Sequence, residues 1–364
     1  MRISILQDRL AWGVNLVSKY TSNKGQLPIL ANILITAEKT GVTLTATNLE
    51  TGIRVNIGGK VDIEGSITVP AKNFSEFVSS LPLQSVELSV DGERLKIKSG
   101  SSQATLSTIA SAEFPIVPNV VGDPIKIESR LIKQIAVEVA FASATDESRP
   151  VLTGVRFSKS DKKLIVVATD GFRLSKKEIL STEHFFLSTI LILPAHTIID
   201  LAKVVEDIEI NMYLMSQNNQ VIFDTGKTQI ISRILEGNFP DVDKIIPKEF
   251  RTQVAVDRGE LLRAVRSAGI FARESNNIVV FRVQDAGLRV SASGGQTGES
   301  ESVIEAEITG DELQISFNYK YVIDFLNSQS GERIIMKFNE STTPAVFVPE
   351  KDESLIHLIM PVRV

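Results

Sequence analysis

A chain of 364 residues, 43% of them hydrophobic and 23% charged, is too long for one ordinary core and suits two or three domains of about 100 to 150 residues each. Cysteine is absent, which excludes disulfides, thiolate metal sites and cysteine nucleophiles and allows a reducing compartment. The net charge of −5 argues against a nucleic-acid binder, yet it is only a sum, and an acidic exterior can coexist with a basic inner surface.

The first residues meet Asp8 before a signal-length apolar core forms. The most apolar later run, Phe185 to Ala202, is cut by Pro194 and carries His196 and Asp200, so it cannot cross a bilayer unaided. A soluble, cytoplasmic protein with no membrane partner is expected.

In chain order, Ile3 to Leu6 reads as a short strand before an apolar-periodic helix over Leu10 to Val17. Ile33 to Ala37 reads as a strand, and Leu44-Thr-Ala-Thr-Asn48 as a strand entering a turn. Val69 to Val78 is a strand end running into an amphipathic helix, with Phe74 and Phe77 on one face. Val86 to Val90 is a further strand, and Phe114-Pro115 closes the segment.

The same order restarts at Ile125 to Ile127, with a helix over Leu131 to Val139, strands at Val155 to Phe157 and Leu164 to Thr169, a second helix from Leu193 to Ala202 and a strand at Ile208 to Met212, closing on Phe239-Pro240. It restarts again at Val254 to Val256, with a helix over Leu261 to Val265, strands at Val279 to Val283 and Leu288 to Ser293, a second helix from Phe317 to Leu326 and a strand at Ile334 to Phe338, closing on Met360-Pro361. Ala46, Ala168 and Ala292 mark one point of this repeat, offset by 122 and then 124. Each third is therefore expected to be α+β, two β-α-β-β-β halves with two helices on one side of sheet. Linkers at Pro118 to Pro124 and Ile246 to Phe250 put the domains at 1–120, 121–247 and 248–364.

No catalytic constellation emerges. His184, His196 and His357 have no paired-ligand spacing and are read as structural. Ser293 to Ser300 resembles a phosphate-cradling loop but lacks Gly-Lys-Ser/Thr and is read as a strand connection. Asp170 is read as an Asx turn, because Asn48 and Gly294 replace it in the sister copies. Asp146-Glu147 and Asp352-Glu353 have nothing to pair them. One feature stays unassigned by repetition: only the middle copy continues its turn into Gly171-Phe172-Arg173-Leu174.

Charge placement suggests a self-association surface. Arg94, Lys96 and Lys98 alternate along a strand near the N-terminal end of the chain, and Glu299 and Glu301 alternate near the other end, with Glu305 further along. Opposite signs on the terminal domains suit a head-to-tail interface used twice, with Ile270 and Phe271 as apolar anchors beside it and Leu106 in the same expected interface.

The threefold repeat, Leu27-Pro-Ile-Leu30 followed by Asn32, Ala168 to Leu174, Glu236-Gly-Asn-Phe-Pro-Asp241 and Met360 to Val364 stand in one order along the whole chain. Together they resemble the bacterial DNA polymerase III β subunit family, the sliding clamps. The resemblance implies three tandem two-helix, two-sheet clamp domains and a head-to-tail homodimeric ring around duplex DNA, helices inside and sheets outside. Geometry agrees: twelve cylinders about 10 Å wide leave a hole of roughly 28 Å, which admits a duplex, and six do not.

It implies a processivity factor with no catalysis and no cofactor. Its partners would be double-stranded DNA held without sequence readout, the polymerase III catalytic subunit, a clamp loader, and other polymerases and repair proteins carrying a short clamp-binding motif. A family peptide groove maps onto Leu152, Thr169, Gly171, Phe172, Arg173 and Leu174 from the middle of the chain. It continues through Pro240, Lys244, Ile245, Asn318 and Tyr321 to Met360, Pro361 and Arg363. Phe172 stands where the family commonly has histidine, and Lys244 where arginine is frequent, which makes the groove more apolar. Lys24, Lys72 and Arg149 are the expected DNA contacts. The alternative is a non-enzymatic repeat scaffold that binds peptides without encircling DNA.

Overall fold

The apolar periodicities become six α-helices and twenty-six strands among the residues that the computed structural model describes: 1–22, 27–180, 190–206, 209–215, 218–295 and 298–363. Lys24, His184, Ile208, Gln296, Thr297 and Val364 lie outside these residues.

The first third of the chain holds β1 (Arg2–Leu6), α1 (Gln7–Val17), β2 (Asn32–Glu38), β3 (Gly41–Thr47), β4 (Thr51–Gly58), β5 (Lys60–Ile63), β6 (Gly65–Pro70), α2 (Ala71–Ser80), β7 (Ser85–Asp91), β8 (Arg94–Ser99) and β9 (Ser102–Ser107). The middle third holds β10 (Ile125–Glu128), α3 (Ser129–Glu138), β11 (Gly154–Ser160), β12 (Lys163–Thr169), β13 (Arg173–Leu180), β14 (Leu191–Pro194), α4 (Ala195–Val204), β15 (Glu209–Met215), β16 (Gln220–Asp224) and β17 (Thr228–Arg233). The last third holds β18 (Thr252–Asp257), α5 (Arg258–Ala272), β19 (Ile278–Gln284), β20 (Gly287–Ser293), β21 (Glu299–Ile304), β22 (Ala306–Thr309), β23 (Leu313–Asn318), α6 (Tyr319–Ser328), β24 (Arg333–Phe338), β25 (Ala345–Pro349) and β26 (Leu355–Ile359).

The β-α-β-β-β order recurs as the repeat implies, with β5 and β22 as additional strands. Sheet membership, however, crosses the halves. The strand before each helix pairs with the strands of the other half, so that β1 joins β7 whereas β6 joins β2. A strand-helix connection too short to return to its own sheet is satisfied by this exchange, and period-2 patterning alone does not reveal it.

Contacts group the chain into two compact units, residues 1–129 with 204–234, and residues 130–203 with 235–364. In the first unit, one sheet runs β5-β1-β7-β8-β9 and a second runs β10-β15-β16-β17-β4-β3-β2-β6. The second joins strands of the first and middle thirds through the β17–β4 ladder, with Ile230 opposite Ile53. Helices α1 and α2 pack on each other, and Leu10, Val14, Val17, Phe74 and Val78 are their buried faces.

In the second unit, one sheet runs β14-β11-β12-β13-β26-β25-β24-β18-β22 and the other β21-β20-β19-β23. Here β13 and β26 join the middle and last thirds, with Leu174 opposite Leu358. The core between α5, α6 and these sheets includes Leu261, Val265, Phe281, Phe317, Phe325 and Phe347, all essentially inaccessible. Phe317 meets both Phe281 and Phe347 edge-on, with centroids 5.4 and 5.8 Å apart, the geometry that aromatic quadrupoles favour.

Helix α5 extends well beyond the expected Leu261 to Val265. Its start is fixed by Asp257, whose carboxylate accepts from the Glu260 amide at 2.7 Å. Gly269 allows α6 to close in, since a Cβ there would sit 2.7 Å from the Tyr319 ring. Among the described residues no helix is long and apolar enough to cross a membrane.

Candidate partner-binding groove

The middle strand-turn is built by hydrogen bonds between side chains and the backbone. The Phe172 and Arg173 amides donate to Asp170 Oδ1 at 2.8 and 2.9 Å, and Thr169 Oγ1 donates to the Arg173 carbonyl at 2.6 Å. Asp170 is thus the Asx turn that its type suggested. The sister turn does the same: Asn48 Oδ1 accepts from Glu50 and Thr51, and Thr47 Oγ1 donates to the Thr51 carbonyl. Gly171 has φ +92° with nothing near its missing Cβ, a left-handed conformation that glycine adopts without strain. In the sister turn that place is taken by Leu49 at φ +75°.

This turn leaves Phe172 63% exposed while Leu174, two residues on, is 2% exposed. Directly beside it runs the end of β26, where the Met360 amide donates to the Phe172 carbonyl at 2.8 Å. A 3₁₀ turn over Pro150–Thr153 brings up Leu152, 3% exposed, and a second over Val242–Lys244 brings Val242 and Ile245. These pieces line an open groove within the second unit, formed by Arg149, Leu152, Thr169, Gly171 to Leu174, Pro240, Val242, Ile245, Leu358 and Met360.

Its floor continues the buried cluster of Ile165, Val167, Leu174, Val242 and Leu358, so the apolar surface rests on packed core. Charge ties the Val242–Lys244 turn to β13. Lys176 Nζ donates to Asp243 Oδ1 at 2.8 Å, and that hydrogen bond keeps the Asp243 carboxyl below its ordinary range. Arg156 lies over the Phe239 ring, 5.3 Å from its centroid.

Of the residues expected in the groove, Leu152, Thr169, Gly171, Phe172, Arg173, Leu174, Pro240, Ile245 and Met360 come together there. Five stand apart from its lining. Lys244 is exposed and paired with Asp241 at 3.1 Å. Asn318 caps α6 by accepting from the Lys320 amide. Tyr321 lies under the Arg173 guanidinium at 4.7 Å. Pro361 and Arg363 follow β26, between which the Val362 amide donates to the Ser316 carbonyl at 2.8 Å.

Arg173 itself is 8% exposed, and its guanidinium is committed to Asp170, Asp324 and the Phe141 carbonyl. It is therefore not the free polar edge that its residue type suggests. Val242 and Leu358 were missed, although Leu358 lies in β26 only two residues before Met360.

Arg149, expected at DNA, lines this groove. Lys72 is exposed in the first turn of α2. Arg94, Lys96 and Lys98 alternate on the exposed face of β8, next to the edge strand β9 that carries Leu106. Glu299 and Glu301 alternate on the edge strand β21, but β21 ends at Ile304 and leaves Glu305 outside it. Lys96 pairs with Asp91 at 2.6 Å and Glu301 with Arg289 at 2.5 Å within the chain. On α5, Ile270 is 63% exposed and Phe271 half-buried.

His357 is a structural histidine. It is fully buried, its Nδ1 sits 2.7 Å from Ser175 Oγ, and its ring stacks on Phe325 with centroids 4.8 Å apart. Burial, with the Arg173 charge nearby, pushes its pKa well below the ordinary value. No group of three or more acidic or histidine side chains that could hold a metal occurs among the described residues.

Comparison with known proteins agrees with this geometry along the entire chain. Profiles of the DNA polymerase III beta subunit match its N-terminal domain at residues 1–118, its central domain at 126–241 and its C-terminal domain at 243–363. A beta sliding clamp from Staphylococcus aureus is 31% identical over 375 residues, covering 100% of this chain and 99% of that protein. One from Bacillus subtilis is 32% identical over 376 residues, covering 100% of both. The crystal structure of the DNA polymerase III beta chain from Streptococcus pneumoniae superposes with a TM-score of 0.93 at 30% identity, again covering 100% of both chains. With identity spread end to end over three tandem clamp domains, the chain belongs to the bacterial DNA polymerase III β subunit family, the β sliding clamps.

Proposed function

We propose that this chain closes as a head-to-tail homodimer around double-stranded DNA, helices inside and sheets outside, and tethers polymerases to their template. It acts in the cytoplasm as a non-catalytic processivity subunit, with clamp domains at 1–120, 121–247 and 248–364. Lys24 and Lys72 are assigned to sequence-independent phosphate contact. Ring closure is assigned to Arg94, Lys96, Lys98 and Leu106 of one protomer against Ile270, Phe271, Glu299, Glu301 and Glu305 of the next. Support comes from the free edges of β9 and β21, one beside a basic strand face and the other acidic.

The observation that carries the tethering is the groove in which the Gly171 to Leu174 tail meets Met360. A shallow apolar site with few free polar groups suits a short linear motif, and exchange among partners follows from its modest area. The polymerase III catalytic subunit, the clamp loader and motif-bearing polymerases and repair proteins are its occupants. The experiment is native mass followed by retention on circular against linear DNA. A dimer held on nicked circles and lost after linearisation is expected. Equal retention on both would support the peptide-binding scaffold that does not encircle DNA.

A further inference from the structure

Asp324 lies outside the groove lining, yet it is connected to the groove's most exposed aromatic residue. Tyr321 and Asp324 stand three residues apart on α6, on one helical face. Between them they take the Arg173 guanidinium, whose carbon is 4.7 Å from the Tyr321 centroid and whose Nη1 donates to Asp324 Oδ2 at 2.5 Å. Nη2 donates to the Phe141 carbonyl at 3.0 Å, and Nε to Asp170 Oδ2 at 3.1 Å. A planar fork engaged from three separate segments has one orientation.

Asp170 passes that orientation on. Its Oδ2 receives the fork while its Oδ1 accepts the Phe172 and Arg173 amides. The backbone that presents Phe172 is therefore fixed through Asp170 and Arg173 by a carboxylate on a helix distant in sequence.

We propose that Asp324 is a positioning residue for partner binding: through Arg173 and Asp170 it holds the Gly171–Phe172 turn in the conformation that receives a peptide. This rests on the groove being the peptide site. The occupant is a short segment with aliphatic and aromatic anchors, because every lining polar side chain except Arg149 is committed within the chain.

The test is calorimetric titration of a short synthetic peptide bearing leucine and phenylalanine anchors into the full-length wild type, Asp324→Ala, Phe172→Ala and the double variant, beside amide hydrogen exchange of the first two. Asp324→Ala should weaken binding about three- to tenfold, the scale of a partly exposed charge-assisted bond acting at one remove. Exchange at the Phe172 and Arg173 amides should quicken. In the Phe172→Ala background, Asp324→Ala should add nothing, because the group it positions is gone. Unchanged affinity in Asp324→Ala beside a binding wild type overturns the positioning role alone. So does an equal further loss in the double variant, which would mark general loosening. A wild type that does not bind the peptide overturns the groove reading and this proposal together.

Discussion

The amide of Met360 donates to the carbonyl of Phe172 at 2.8 Å, joining the end of β26 to the turn before β13. The first unit contains its counterpart, the Arg233 amide donating to the Glu50 carbonyl at 2.9 Å. The two junctions share a backbone plan and differ in side chains. Where the second unit places Gly171, Phe172 and Leu174, the first places Leu49, Glu50 and Gly52. At the second junction those side chains line an apolar groove.

Deletion of Met360 to Val364 should abolish peptide binding while leaving the fold. β26 ends at Ile359 and keeps its ladders to β13 and β25, so the deletion removes the hydrogen bonds donated by the Met360 and Val362 amides and the packing of the half-buried Met360 side chain. A melting shift of no more than a few degrees is expected, corresponding to about 1 kcal/mol. Calorimetric titration beside a thermal melt checks this; binding lost only together with the fold would mean that the terminus serves the sheet and not the groove.

Phe172→Ala should weaken peptide binding about five- to tenfold. The ring is mostly exposed in the free chain, and covering about half of a phenylalanine is worth roughly 1 to 1.5 kcal/mol. Phe172→His should lose less, since the ring is kept. Affinity unchanged in the alanine variant would remove Phe172 from the site.

Reversal of Lys96 and Lys98 to glutamate should weaken the dimer, most at low salt, where screening is least. Lys96 already has Asp91 as a partner, so Lys98→Glu should account for most of the effect. Sedimentation at low protein concentration and two salt levels reads the result, and an unaltered dimer at low salt would discard the interface.

Acidification should destabilise the fold through His357 before the carboxylates titrate. Its pKa is depressed in the folded chain by burial, so the unfolded chain takes up a proton near pH 6.5 that the folded chain does not. Stability from this group is present above about pH 6.5 and is lost as pH falls below it, at up to about 1.4 kcal/mol per pH unit until the folded pKa is reached. Asp243 and Asp352 are also depressed, Asp243 by the Lys176 hydrogen bond. For Asp352 burial works upward and is outweighed by the bonds from Lys177 and Ser354. Both lose their contribution at lower pH, below the ordinary carboxylate range. Denaturant unfolding from pH 7 to 5 should show a steeper slope for wild type than for His357→Gln, and equal slopes would exclude the histidine as the cause.

Much of this was legible in the residues. The threefold recurrence, the strand before each helix, the Asx turn at Asp170 and the structural character of His357 follow from local patterns that act within one turn or strand. Sheet membership was not legible, because a period of two says which face a residue takes and nothing about which strand lies beside it. The exchange of first strands between the halves and the β17–β4 and β13–β26 ladders are therefore visible only in the tertiary structure.

The groove divides along the same line. Composition and spacing determined that Gly171 to Leu174 is surplus to the repeat and that Met360 ends an apolar strand. Only tertiary structure decided that these segments adjoin, that Val242 and Leu358 complete the floor, and that Arg173 turns its charge to Asp324 and Asp170. The reason is physical: a guanidinium's partners are set by which carboxylates packing brings within about 3 Å, and packing joins segments that no local pattern connects.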